Sequence, residues 1–77
     1  MRLDLFLKKY GIIKRRSVAQ DMIKGGRVRV NGRVVKPSHS VEIDDVIEVF
    51  FGNRYLKIRA VRGGYEVLEE EKVRNSN

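Results

Sequence analysis

Cysteine is absent from this 77-residue chain, so neither a disulfide nor a thiolate metal site can staple it. Tryptophan is absent too, while proline and histidine occur once each, as Pro37 and His39. One imidazole with no thiolate argues against a zinc site, and no cofactor or metal is expected. No apolar run reaches membrane-spanning length. Asp4, Lys8 and Lys9 interrupt the N-terminal stretch that a secretory signal would need. The expectation is a cytoplasmic protein with no membrane contact. So short a chain forms one small core, held by apolar burial, turns and caps.

Positive charge is what the chain has in excess, and it is concentrated in one half. Seventeen Lys and Arg stand against ten Asp and Glu, for a net charge of +7. Residues 1–36 hold eleven of the bases (Arg2, Lys8, Lys9, Lys14, Arg15, Arg16, Lys24, Arg27, Arg29, Arg33 and Lys36) and only two acids, Asp4 and Asp21. Residues 37–77 are slightly acidic. A small protein with one strongly cationic half is built to face a polyanion.

Leu3, Phe6, Leu7 and Tyr10 make one apolar helical stripe, and Gly11 is its left-handed terminator. After Ile12 and Ile13 comes Lys14-Arg15-Arg16. Ser17 with Gln20 three residues later predicts a capping box, with a second helix starting at Ser17 and ending at Gly25-Gly26. Its apolar side is Val18, Ala19, Met22 and Ile23. Asn31-Gly32 between Val28-Arg29-Val30 and Arg33-Val34-Val35 predicts a two-residue hairpin. That register pairs Val30 with Arg33, Arg29 with Val34, Val28 with Val35 and Arg27 with Lys36. Val28, Val30 and Val35 share a core face; Arg27, Arg29 and Lys36 share a cationic face with Val34. Pro37 lacks the donor to continue the ladder.

Further strands are predicted over residues 46–51, 55–61 and 65–68, the last at an edge. The alternation in the fourth points Leu56, Ile58 and Ala60 inward. The aromatics Phe6, Tyr10, Phe50, Phe51, Tyr55 and Tyr65 are read as core. The expected architecture is α/β (α+β): two N-terminal helices on a small antiparallel sheet of four to five strands. One domain covers residues 1–68, and residues 69–77 are expected to be a frayed tail. Met1 at the start and the polar end fit a complete chain.

Helix, Lys-Arg-Arg-Ser, helix, Gly-Gly and a Val-Asn-Gly hairpin, at this spacing, resemble the RNA-binding domain named after ribosomal protein S-four. The segments MRLDLFLKK, IKRRSVAQDMIKGGRVRVNGRVVKPS and DDVIEV carry that resemblance over residues 1 to about 50. In that family two helices and a hairpin, the alpha-L motif, form a continuous surface for structured RNA. The resemblance places Arg2, Arg15, Arg16, Ser17, Gln20, Lys24, Arg27, Asn31 and Lys36 on or beside this surface. Arg2, Asp4 and Arg16 match its most characteristic positions. Lys14, beside Arg15 and Arg16 at a helix start, and Arg29, on the cationic hairpin face, join them from the charge pattern alone.

A free-standing chain of this length beginning MRLD also resembles the small bacterial heat-shock-protein-fifteen group, including its ribosome-associated quality-control members. That likeness implies ribosomal RNA of the large subunit and tRNA as partners, together with a quality-control factor on an obstructed large subunit. A monomer is expected. The heat-shock members carry a longer basic C-terminal extension than this chain does.

Other readings compete at each point. The domain also decorates enzymes that modify ribosomal RNA, so a targeting fragment is one alternative, and a nonspecific nucleic-acid binder is another. Asp4 lacks the partner carboxylate or His that a catalytic acid would need. It is expected to orient Arg2 or Arg16, or to favour the first helical turn. Asp44-Asp45 reads as a turn former. Lys57 and Arg59 either extend the cationic face or merely solvate a strand. His39 is expected in a loop. No paired aromatics of a base-reading sheet are present, so recognition by shape and phosphate is expected.

Overall fold

A computed structural model describes residues 1–72. Its elements are α1 (Leu3–Lys9), α2 (Arg16–Lys24), β1 (Val28–Val30), β2 (Arg33–Val34), β3 (Val46–Phe50), β4 (Arg54–Val61) and β5 (Gly64–Lys72). The strands form one antiparallel sheet in the order β2-β1-β3-β4-β5. This is the expected α+β arrangement.

The apolar stripe of α1 buries Leu3, Phe6 and Leu7, and α2 adds Ala19 and Ile23. These meet the inward positions of the sheet: Val28 and Val30, Ile47 and Val49, then Leu56, Ile58 and Ala60. Full burial of each large aliphatic side chain contributes about 1.5–3 kcal/mol, and this is the main term holding so small a domain. Gly11 ends α1 with φ 71°. Ile12 and Ile13 then turn into the core, their N–H groups both donating to the Leu7 carbonyl.

The hairpin has the expected register, Val30 opposite Arg33 and Arg29 opposite Val34. Asn31 and Gly32 both take positive φ, 52° and 81°, the signature of a type I′ turn. Val28 does not pair with Val35 in the ladder, however, and Arg27 does not pair with Lys36. The strand β2 stops at Val34 because residues 36–41 are claimed elsewhere, as a strap across the N-terminus. The carbonyls of His39 and Pro37 accept the N–H groups of Leu3 and Asp4, and Val41 N–H donates to the Met1 carbonyl. The strap thereby satisfies two of the orphan donors at the start of α1.

Three further expectations need correction. The second helix begins at Arg16 with Arg15 as its N-cap, and no side chain caps it. Ser17 is exposed, and Gln20 does not reach back to it, because a buried carboxylate (Asp4) takes the Gln20 amide instead. Phe50 and Tyr55 are not core residues. They pair on the outer face of the sheet, ring centres 5.1 Å apart, with the Tyr55 hydroxyl donating to Glu48 Oε2 at 2.6 Å. Burial first, then that bond and the nearby Glu69 and Glu71, push the Tyr55 hydroxyl well above its usual range. Finally, β5 runs to Lys72 rather than stopping at Leu68. Register shifts between Lys57 and Ile58, so Leu68 is an extra bulged residue. The rest of the expected tail, residues 73–77, lies outside the described residues.

Candidate nucleic-acid interface

The candidate interface is built around one buried acid. Asp4 is fully buried at the first turn of α1. Its carboxylate accepts both Nε and a terminal nitrogen of Arg2, each at 3.2 Å. It also accepts Arg16 Nε at 3.2 Å and Gln20 Nε2 at 2.9 Å, while the backbone N–H of Leu5 donates at 2.7 Å. Burial alone would raise the Asp4 carboxyl. The hydrogen bonds from Gln20, Arg2, Arg16 and Leu5 outweigh it and hold the group well below the usual carboxylate range.

Asp4 grips only part of each guanidinium. Arg16 gives it Nε and keeps both terminal nitrogens, and Arg2 keeps one. The Arg2 side chain remains 46% exposed and that of Arg16 41%. Each is therefore a cation fixed on its inner edge with donors left for an anion in solvent, the arrangement that suits a phosphate oxygen. Neighbouring side chains extend the positive surface. A groove of about 400 Å³ is lined by Arg2, Gln20, Lys24, Lys36, Pro37 and Ser38. Three stretches of chain meet here: the start of α1, one side of α2 and the strap.

Most of the expected contact residues lie around this groove. Arg2, Gln20, Lys24 and Lys36 line it, and Arg16 is bound to the same Asp4. Lys14, Arg15 and Ser17 are exposed at the start of α2, close to Arg16 in sequence. Arg27 and Arg29 are exposed elsewhere. Arg29 stands over the Phe50 ring at 5.6 Å, on the sheet face away from the core. Asn31 is exposed at the hairpin turn, where its amide donates to Asp45 Oδ1 at 3.0 Å and its Oδ1 accepts the Val46 N–H at 2.9 Å. Sequence reasoning missed Pro37 and Ser38, which line the groove only because the strap folds across the N-terminus.

Three secondary readings resolve here. Asp45 accepts Glu42 N–H as well as the Asn31 amide, and so shapes the turn before β3. Arg59 is paired with Glu66 and lies 4.0 Å from Asp44. Lys57 sits in a cross-strand row with Arg29, Glu48 and Glu69, so the outer sheet face alternates in sign rather than extending the cationic surface. His39 belongs to the strap, 3.8 Å from Asp45. Among the described residues no group of three metal-ligating side chains converges, and no helix is long and apolar enough to cross a membrane.

Two helices and a hairpin presenting clamped arginines beside a basic groove define an RNA-binding module. The S4 domain model matches residues 1–47, the stretch that carries every element of the groove. The chain belongs to the S4-domain family, in the group that includes the RQC P-site tRNA stabilizing factors and heat shock protein 15. A protein of Streptococcus pneumoniae named RQC P-site tRNA stabilizing factor is 37% identical, over 95% of this chain and 96% of its own length. The Bacillus subtilis protein of the same name is 33% identical, over 95% and 98%. Among solved structures, trimeric heat shock protein 15 of Vibrio cholerae matches with a TM-score of 0.81 and 32% identity, covering 87% of this chain and 80% of that one.

Proposed function

We propose that this chain binds structured ribosomal RNA of the large subunit together with tRNA. In this reading it steadies peptidyl-tRNA on an obstructed large subunit while a partner factor extends the stalled chain. One observation carries it: buried Asp4 holds Arg2, Arg16 and Gln20 together at a basic groove, pre-orienting donors for phosphate. A pre-organised cation loses less side-chain freedom on binding than a free one. Among the described residues the groove is lined by cations, an amide, a proline and a serine, which suits a duplex read by shape and phosphate. The names of the S. pneumoniae and B. subtilis relatives support tRNA as a partner and quality control as the setting.

The protein acts here as a non-catalytic binder in the cytoplasm. Arg2, Lys14, Arg15, Arg16, Ser17, Gln20, Lys24 and Lys36 supply the main contacts. The groove is built within one chain, so a monomer suffices for it, although the V. cholerae relative is trimeric. A tagged chain followed across a sucrose gradient of ribosomes tests the reading. It should co-sediment with large subunits that retain peptidyl-tRNA, and sedimentation of the free protein gives its own assembly state. Migration with small subunits, or only at the top of the gradient, overturns the proposal. Modification of ribosomal RNA by the purified chain would place it among the enzymes instead.

A further inference from the structure

The turn between β3 and β4 carries a second concentration of cations, chemically unlike the groove. Here an arginine lies across an aromatic ring: the Arg54 guanidinium carbon is 4.4 Å from the centre of the Phe51 ring. Phe51, Asn53, Arg54 and Lys72 line a recess of about 420 Å³. Phe51 is partly buried against the core, so the ring is a fixed backing. Glu70 pairs with Arg54 at 3.7 Å and holds the guanidinium in place. Glu70, and Glu71 opposite Tyr55, are outnumbered by Arg54, Lys72 and Arg27. The Arg27 guanidinium lies beside Gly52, where an added Cβ would stand 3.1 Å from its nitrogen, and its carbonyl accepts the N–H of Phe50. Arg27 follows groove-lining Lys24 by three residues in sequence.

We propose that this recess is a second RNA contact that takes one unpaired base. The base stacks on the Arg54 guanidinium, whose other face is backed by Phe51. The exposed Asn53 amide offers a donor and an acceptor to the base edge, and Lys72 and Arg27 take the flanking phosphates. Stacking on a planar cation tolerates any base, so the recess recognises an unpaired nucleotide without reading its identity. The inference rests on the RNA binding proposed above, and it adds a preference the groove cannot supply. The groove offers cations but no aromatic plane.

The test uses the full chain and two RNA hairpins with the same stem, one fully paired and one with a single bulged adenosine. Fluorescence anisotropy at low salt should give the bulged hairpin a roughly tenfold tighter dissociation constant. Arg54→Lys keeps the charge but removes the plane, so it should erase the preference and leave affinity for the paired hairpin unchanged. Phe51→Leu, checked by thermal melt, should act in the same direction. Arg16→Ala should weaken both hairpins alike. Wild-type protein that binds both hairpins equally overturns the recess while leaving the groove standing. So does an Arg54→Lys loss equal on both. Failure to bind either hairpin overturns the RNA-binding reading itself, and this inference with it.

Discussion

Asp4 and Arg16 stand twelve residues apart in sequence, and a 3.2 Å ion pair joins them across the α1–α2 junction. Because Arg2 and Gln20 meet the same carboxylate, the acid organises the basic surface instead of diluting it. Asp4→Asn keeps the shape of the side chain and removes its charge. Loss of charge-assisted bonds at a buried site should cost about 1–3 kcal/mol, moderated because both arginines can return to water. RNA affinity should also fall, although the net charge becomes more positive. Tighter binding by Asp4→Asn in an RNA titration would mean that bulk charge outweighs orientation.

The same carboxylate predicts an acid transition. Its pKa in the folded protein lies below the ordinary value of 3.8. A depressed pKa means that the unfolded state binds the proton first, so Asp4 contributes stability above about pH 4. That contribution is lost as the pH falls further, toward the folded value. Urea melts should therefore show little change attributable to Asp4 at neutral pH and a decline below about pH 4. In Asp4→Asn that part of the decline should be missing. Parallel acid profiles for the two proteins would remove Asp4 from the account.

Arg16 should matter more than Lys8, although both are basic. Lys8 lies on the exposed side of α1, where its ammonium adds only diffuse field. Arg16 is clamped with two terminal nitrogens free. Arg16→Ala should abolish pelleting with large subunits while lowering thermal stability only modestly, since Asp4 retains Arg2, Gln20 and the Leu5 N–H. Lys8→Ala should weaken pelleting by about one phosphate contact's share. Equal losses would describe a general positive surface rather than a site.

Salt dependence measures how many such contacts act together. If Arg2, Lys14, Arg15, Arg16, Lys24 and Lys36 each neutralise a phosphate, affinity for ribosomal RNA should fall by roughly 10³ between 50 and 200 mM salt. A nearly flat dependence would leave the groove without an electrostatic role.

The local pattern made much of this legible. Leu3, Phe6 and Leu7 at helical spacing, the Asn-Gly turn and the alternation of Leu56, Ile58 and Ala60 each dictated an element and its buried face. The orientation of Asp4 toward Arg2 and Arg16 was also readable, since a lone acid among bases needs a partner. What escaped the sequence was tertiary competition. Gln20 suits a capping box by spacing, yet its side chain points the other way and donates Nε2 to a buried carboxylate from another helix. Val35 and Lys36 read as strand continuation up to Pro37, yet the ladder ends at Val34 because the segment that follows is bonded to the N-terminus. The bulge at Leu68 shifts the alternation by one residue, which disguises Glu69–Glu71 as tail. Phe50 and Tyr55 read as core because aromatic composition does not say which sheet face a ring will take.

The hairpin turn should tolerate little change at its second position. Gly32 sits at φ 81° with open space around it, so backbone conformation alone limits substitution there. Gly32→Val should cost about 1–3 kcal/mol, since a β-branched residue is strained in the left-handed region. Thermal melts check this, and an unchanged midpoint would show that the turn relaxes to another type.

Asn31 separates a structural role from a binding one. It is exposed, and its amide holds Asp45 while its Oδ1 accepts the Val46 N–H, which ties the hairpin turn to the start of β3. The residue also needs φ 52°. Asn31→Gly preserves that backbone freedom and deletes only the side-chain bonds. Two lost hydrogen bonds at an exposed site should cost about 1 kcal/mol or somewhat more, visible as a lower melting midpoint. Affinity for RNA, measured well below that midpoint, should stay within about twofold of the parent, because the clamp at Asp4 and the groove cations are untouched. Asn31→Ala would confuse the two effects, since alanine adds backbone strain. A large loss of RNA affinity in folded Asn31→Gly, with stability unchanged, would return Asn31 to the binding surface and show that its bonds to β3 give way when RNA is present.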